Sequence, residues 1–337
     1  MKKVLFATTA LVMTAGVAAA EVAVSGDARM GLRYESDTGY TGDSSWNVVN
    51  RMRVHFTMTG ESQSGISFGA KIRSDQHSNS GGNASATAGT VWVSGEYGKL
   101  TVGDIDSALE KAVGDLPEVG LTGLDFGNEF AYAGSEEGAF GDAGILYEYA
   151  IGNANLYVSL HDKYSGNSDT ERDTTSWSIG VGYDLGDYTF GLGYDRADYT
   201  LNPFIVDIDG GGAFTPVGSL GYAAKSATWG VSGGTSINGI TFKAAYLKTN
   251  SDIDALDYAQ YGLGAAYDMS NGVGVSGFWR KNDFKNIDVD GDSFGLGASY
   301  DLGGGATVKG GIARHTINID DVRTRNTMAD FGLEFKF

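Results

Sequence analysis

The sequence predicts an all-β fold: a transmembrane antiparallel β-barrel of sixteen strands, with a long third external loop folded inward. Three observations predict it. Beyond residue 20 the chain runs in short segments whose apolar residues recur at every second position, the period of a strand with two unlike faces. Connections between these segments are alternately short and long. The face opposite the apolar one carries charged residues and glycine, which suits a wet interior better than the outside of a soluble sandwich.

Composition agrees. Glycine contributes 52 of 337 residues and proline only 3, which favours tight turns and strands over helices; average glycine usage is ~7 %. There is no cysteine, which excludes disulfides, thiolate catalysis and most structural zinc sites. Residues 1–20 read as a cleaved secretory signal: Lys2 and Lys3, an apolar run, then Ala18, Ala19 and Ala20 before Glu21. Residues 21–337 then form a single barrel domain. Loss of the two lysines takes the formal charge from −18 to −20, a balance that argues against a nucleic-acid partner. No later apolar run reaches the ~20 residues of a spanning helix, so only a closed barrel could satisfy the backbone in lipid.

The first strand, 21–35, places Val22, Val24, Ala28, Met30, Leu32 and Tyr34 on one face and Ser25, Asp27, Arg29, Arg33 and Glu35 on the other. The second, 46–60, opposes Val48, Met52, Val54, Phe56 and Met58 to Arg51, Arg53, His55, Thr57 and Thr59. The third sets Phe68, Ala70 and Ile72 against Lys71 and Arg73. Three consecutive strands thus share a basic face. A Ser/Gly/Asn loop (74–88) leads to 89–97, a two-residue turn at Gly98 and Lys99, and 100–104. Strands follow at 143–151, 154–162, 174–184, 188–199, 223–234, 240–249, 257–268, 273–282, 291–301, 306–315 and 327–337. No proline falls inside one, as strand chemistry prefers. Tyr97, Tyr183, Tyr188, Tyr267, Tyr300, Phe335 and Phe337 gather near the short turns, as an interfacial girdle would.

One stretch breaks the pattern. Residues 104–142 show no period of two and carry Asp104, Asp106, Glu110, Asp115, Glu118, Asp125, Glu129, Glu136, Glu137 and Asp142 against a single Lys111. A connection this long inside a compact protein is usually functional or disordered. The reading here is that it dips into the barrel and narrows it.

The pieces SGDARMG (25–31), RMRVHFTM (51–58), GDLPEVGLTGLD (114–125), GLGASYDLGGGA (295–306) and the ending ADFGLEFKF resemble the general porins of alphaproteobacteria. The resemblance spans the mature chain. It implies an outer-membrane homotrimer in a Gram-negative cell, surrounded by outer-membrane lipid and passing small hydrophilic solutes and ions. It further implies a third loop folded inward, a second loop latched onto a neighbour, and calcium held among acidic loop residues; no other cofactor is expected.

On this reading Arg29, Arg33, Arg51, Arg53, Lys71 and Arg73 form a basic wall facing the acidic side chains of Asp104, Asp106, Glu110, Asp115, Glu118, Asp125 and Glu129. Opposed charges across a narrow wet gap create a field transverse to the pore. The expected function is passive diffusion with mild cation preference. Two alternatives stand beside it. A substrate-specific channel would share every feature so far. An outer-membrane barrel enzyme would need a nucleophile beside a histidine, and His55, His77, His161 and His315 offer no evident Ser/His/Asp grouping in the sequence. His55 reads as a polar lining residue. Asp288, Asp290 and Asp292 lack the spacing of a calcium loop, and the Gly180/Gly182 and Gly295/Gly297 pairs precede no helix, so they are not nucleotide fingerprints.

Overall fold

A computed structural model describes residues 21–36, 44–77, 85–86, 89–132, 144–161, 175–201, 204–206, 214–216, 222–320 and 322–337. The proposed leader, most of the second external loop, and Glu136, Glu137 and Asp142 lie outside them.

Sixteen long strands make the wall: β1 Glu21–Glu35, β2 Ser45–Glu61, β3 Ser67–His77, β4 Thr90–Gly95, β5 Gly98–Gly103, β6 Gly144–Ile151, β7 Ala154–His161 and β8 Thr175–Asp184. The second half comprises β9 Tyr188–Leu201, β10 Tyr222–Ile237, β11 Ile240–Ser251, β12 Tyr258–Asp268, β13 Val273–Phe284, β14 Val289–Gly303, β15 Ala306–Ile319 and β16 Val322–Lys336. Each pairs antiparallel with its neighbour in the chain, and β1 closes the ring on β16, from Asp27 opposite Lys336 to Glu35 opposite Met328. Gly26 and Phe337 exchange both backbone hydrogen bonds, at 3.2 and 2.9 Å, at the closure. With no free edge, every strand finds its backbone partners within the wall, the condition for spanning a bilayer with strands.

The period of two decides what faces where. Val22, Val24, Met30 and Leu32 on β1 and Val48, Met52, Val54 and Phe56 on β2 are exposed outward, so the apolar surface is on the outside. Aromatic residues bound this band at both ends. Tyr183, Tyr188, Tyr300 and Phe337 lie exposed near the short turns. At the other end a second series, unforeseen in the sequence, runs Trp229, Tyr246, Tyr261, Trp279 with ring centroids 5.3, 6.3 and 5.8 Å apart.

Several boundaries differ from expectation. The turn between β4 and β5 is at Glu96 and Tyr97 rather than Gly98 and Lys99. The last two strands continue to Ile319 and start again at Val322, so the expected long connection at 316–326 is a tight turn, with Asp320 in a left-handed conformation. Pro216, expected in a loop, ends a short pair formed by Phe204–Val206 and Phe214–Pro216. Finally, the patternless stretch contains a helix, α1 Ala108–Val113, capped by the Ser107 hydroxyl accepting from the Glu110 N–H.

Candidate functional site

The segment after β5 lies against the inward face of the wall. The Ala108 and Leu109 N–H groups, unsatisfied at the start of a helix, donate to the hydroxyls of Ser159 on β7 and Ser178 on β8 at 2.9 and 2.8 Å. From there the chain follows a track of bare backbone. A Cβ added at Gly191, Gly193, Gly230, Gly262, Gly264, Gly295, Gly297, Gly311, Gly332 or Gly31 would collide with or crowd residues 109–121. The Gly295/Gly297 pair, dismissed above as a nucleotide motif, is part of this seat. Leu109, Val113, Leu116, Val119, Leu124, Phe130 and Tyr132 pack there with Ala245, Leu247, Phe278, Ala313 and Met328 of the wall. Each large side chain so buried stabilises the seat by roughly 1.5–3 kcal/mol.

Polar fastenings fix the register. The Asp330 carboxylate on β16, 5 % exposed, accepts from the Leu121 N–H at 2.9 Å, the Thr122 N–H at 2.7 Å and the Thr122 hydroxyl at 2.8 Å. Gly120 turns at φ +78° directly above it, where a Cβ would strike the carboxylate. Gln260 on β12 both donates to and accepts from the Ala131 backbone, at 3.1 and 2.9 Å. His315 on β15 joins the Leu124 carbonyl (3.1 Å) to the Ser293 hydroxyl (2.9 Å). Nε2 thus holds the loop while Nδ1 is tied to the wall.

The track serves β8 to β16 and the edge of β1; the inward arginines of β2 and β3 lie beyond it. Arg29 donates to the Leu121 carbonyl at 3.0 Å, and Arg33 pairs with Asp125 at 2.6 Å. Arg51 pairs with Asp27 at 3.0 Å, and His55 stands 3.7 Å from the same carboxylate. Arg53 and Arg73 share Asp75, at 3.0 and 2.9 Å. Lys71 is exposed. This side of the barrel alternates cations and anions.

Residues 7–320 match the family described as Gram-negative porin. The chain belongs to the Gram-negative porin family. It is 35 % identical over 307 residues to the porin of Rhodobacter capsulatus, covering 81 % of this chain and 98 % of that one. It is 28 % identical over 281 residues to the porin of Fuscovulum blasticum, covering 76 % and 93 %. Among solved structures it is similar to a porin refined at 1.8 Å, with a TM-score of 0.71, 31 % identity, and coverage of 94 % of this chain and 100 % of that one. A Rh. blastica porin variant shares the fold at a TM-score of 0.64 and 22 % identity, over 94 % and 100 % of the two chains. The protein is thus an outer-membrane diffusion channel and not an enzyme.

Within this porin the acidic side chains do not form one row. Asp125 reaches the wall directly, through Arg33. Glu118 and Glu129 are exposed, and Glu118 acts electrostatically on Arg29. Asp106 is exposed and 3.7 Å from Lys111 of the same segment; Glu110 lies in the first turn of the helix and Asp104 directly follows β5. Asp115 turns the other way, accepting the Phe130 N–H at 2.8 Å towards Lys243 and Arg280. Burial raises its carboxyl pKa, opposed by that N–H and by the two cations. Burial also raises the Tyr132 phenol well above its usual 10, and its hydroxyl donates to the Gly114 carbonyl.

A calcium cage needs six to eight converging oxygens. Among the described residues no group of three acidic or histidine side chains comes together in that way. Asp125 is held by Arg33, Asp106 lies beside Lys111 and the half-buried Asp115 is taken up by the Phe130 N–H, so this part of the loop does not fit the calcium expectation.

Asp75, Asp330, Gln260 and Arg280 had not been singled out from sequence. Asp330 carried a signal, an acid at an inward position of an otherwise clean strand. Gln260 carried none.

Proposed function

We propose that solutes cross this porin between the exposed side of residues 104–132 and the arginine-bearing wall of β1 to β3, with the loop setting the bore. The observation that supports this reading is the one-sidedness of the loop. Its apolar side chains pack on the glycine track over β8 to β16, while Glu118, Phe126 and Glu129 stay exposed. Water is then confined to the other side, where Arg29, Arg51, Arg53, Lys71 and Arg73 stand. Carboxylates on the loop and guanidinium groups on the wall orient water and polar solutes across that gap, and low-dielectric walls strengthen the field.

Two finer statements belong to the same proposal. The porin prefers cations mildly, because the chain is formally −18 and Asp27 and Asp75 offset part of the basic wall. It works as a homotrimer in the outer membrane. Liposome swelling with sugars of graded size tests the bore: a chain shortened within 106–132 should admit larger sugars than the full chain. An unchanged cut-off would remove the loop from its role. Reversal potentials in a potassium chloride gradient test the preference, and cross-linking in mild detergent the trimer.

A further inference from the structure

Beside the arginines and carboxylates sits a side chain that the filtering role leaves unused. Phe126 is 48 % exposed on a segment where Leu109, Leu116, Leu121, Leu124 and Phe130 are all buried. Its exposure is built into the backbone. Leu124, Asp125 and Phe126 have φ of 46°, 59° and 53°, the left-handed region that non-glycine residues avoid, and the Phe126 N–H closes the turn on the Gly123 carbonyl at 3.0 Å. The turn sends Leu124 into the seat and Asp125 to Arg33, and leaves the ring on the open side.

Glu118 reaches the same place. A Cβ built on Gly123 would lie 2.9 Å from the Phe126 Cε1 and 3.2 Å from the Glu118 Oε1. Glycine at 123 therefore lets an aromatic edge and a carboxylate approach one point from two sides. The Glu118 side chain is exposed; it acts electrostatically on Arg29 but makes no salt bridge within 4 Å among the described residues.

We infer that Phe126 and Glu118 form a landing site for organic cations, solutes carrying an ammonium group beside an apolar or aromatic portion, within the pore. A ring attracts a cation placed within ~6 Å of its centroid, and a carboxylate on the same side supplies the opposite charge. Inorganic cations keep their hydration and gain little from the ring, and neutral aromatic solutes lack the charge attraction to Glu118. The inference rests on the reading that this face of the loop borders the conducting water.

The test is single-channel recording of the purified full chain in potassium chloride, with phenethylammonium chloride as probe and uncharged 2-phenylethanol as its control. Phenethylammonium should interrupt the current in a concentration-dependent way, and 2-phenylethanol should need far higher concentrations. Block is scored against each variant's own open current. Phe126→Leu, similar in volume but without a π face, should weaken block about 2–5-fold, the range of an exposed cation–π contact. Phe126→Tyr should retain it, and Glu118→Gln should weaken it by a similar factor. Equal block in wild type, Phe126→Leu and Glu118→Gln, or equal block by the uncharged control, would overturn the inference. The sugar cut-off of the shortened loop judges the bore separately, so the two readings can fail independently.

Discussion

At Asp330 one carboxylate satisfies two backbone N–H groups and a hydroxyl of a segment more than two hundred residues away. Removing the acceptor strands these donors where water cannot replace it, at about 1–3 kcal/mol for each buried group. Asp330→Ala should therefore loosen the loop by about 3 kcal/mol or more, read as faster proteolysis near residue 121 in detergent. Asp330→Asn, which keeps an acceptor, should lose less. Glycine positions make a sharper contrast. Gly191→Ala places a methyl against the Ala112 carbonyl and should cost about 1–3 kcal/mol by overpacking, whereas Gly233→Ala, with nothing within 4 Å, should leave thermal stability within about 0.5 kcal/mol. Detergent-phase melting of the two variants checks both.

At the scale of the element, the loop carries its own pH dependence through Asp115. Its carboxyl pKa is raised in the docked state, chiefly by burial, so its contribution to docking is fullest in acid, below the ordinary carboxylate range. That contribution is lost as pH rises through the raised value. Asp115→Asn can still accept the Phe130 N–H and does not ionise. The variant should therefore gain loop protection on wild type between about pH 4 and pH 7; a constant difference across that range would contradict this. Strands and loop were unequally legible in the sequence, for physical reasons. Inside the bilayer every second residue must be apolar, so β1 and β2 could be read directly from Val22 to Met58. Above the bilayer that requirement lapses. The outward Arg323 and Arg325 then look like loop residues, although the ladder runs on to the turn at Asp320. Helix α1 escaped notice because one and a half turns show no period. Arg33 and Asp125 are expected on opposite sides of the gap, one in the basic wall and one in the acidic row; that these two in particular meet follows only from the seat. Asp75 falls in the expected loop 74–88, but the strand runs on to His77, which turns its carboxylate to Arg53 and Arg73; nothing local tells that two arginines will share it.

For the whole molecule, the sign and strength of ion preference follow from net charge and salt. A formal charge of −18 acts through a Debye length of ≈ 10 Å at 0.1 M and 3 Å at 1 M. Potassium should therefore be favoured over chloride at 0.1 M, and the ratio should fall towards that of free solution at 1 M, as measured by zero-current potentials. Paired neutralisation of Asp27 and Asp75 (Asp27→Asn, Asp75→Asn) should shift the ratio towards chloride, because Arg51, Arg53 and Arg73 lose the partners that offset them.

The glycine track has a consequence for how such a channel can change. Anchorage depends on naked main chain and on a few fasteners beneath the segment, whereas discrimination, on the solute path proposed above, depends on side chains pointing the opposite way. Substitutions on the wet surface, at 118, 126 or 129, can retune what passes without disturbing the berth that keeps the segment in place. A lineage or an engineer can thus tailor permeability one residue at a time while the barrel stays as it is.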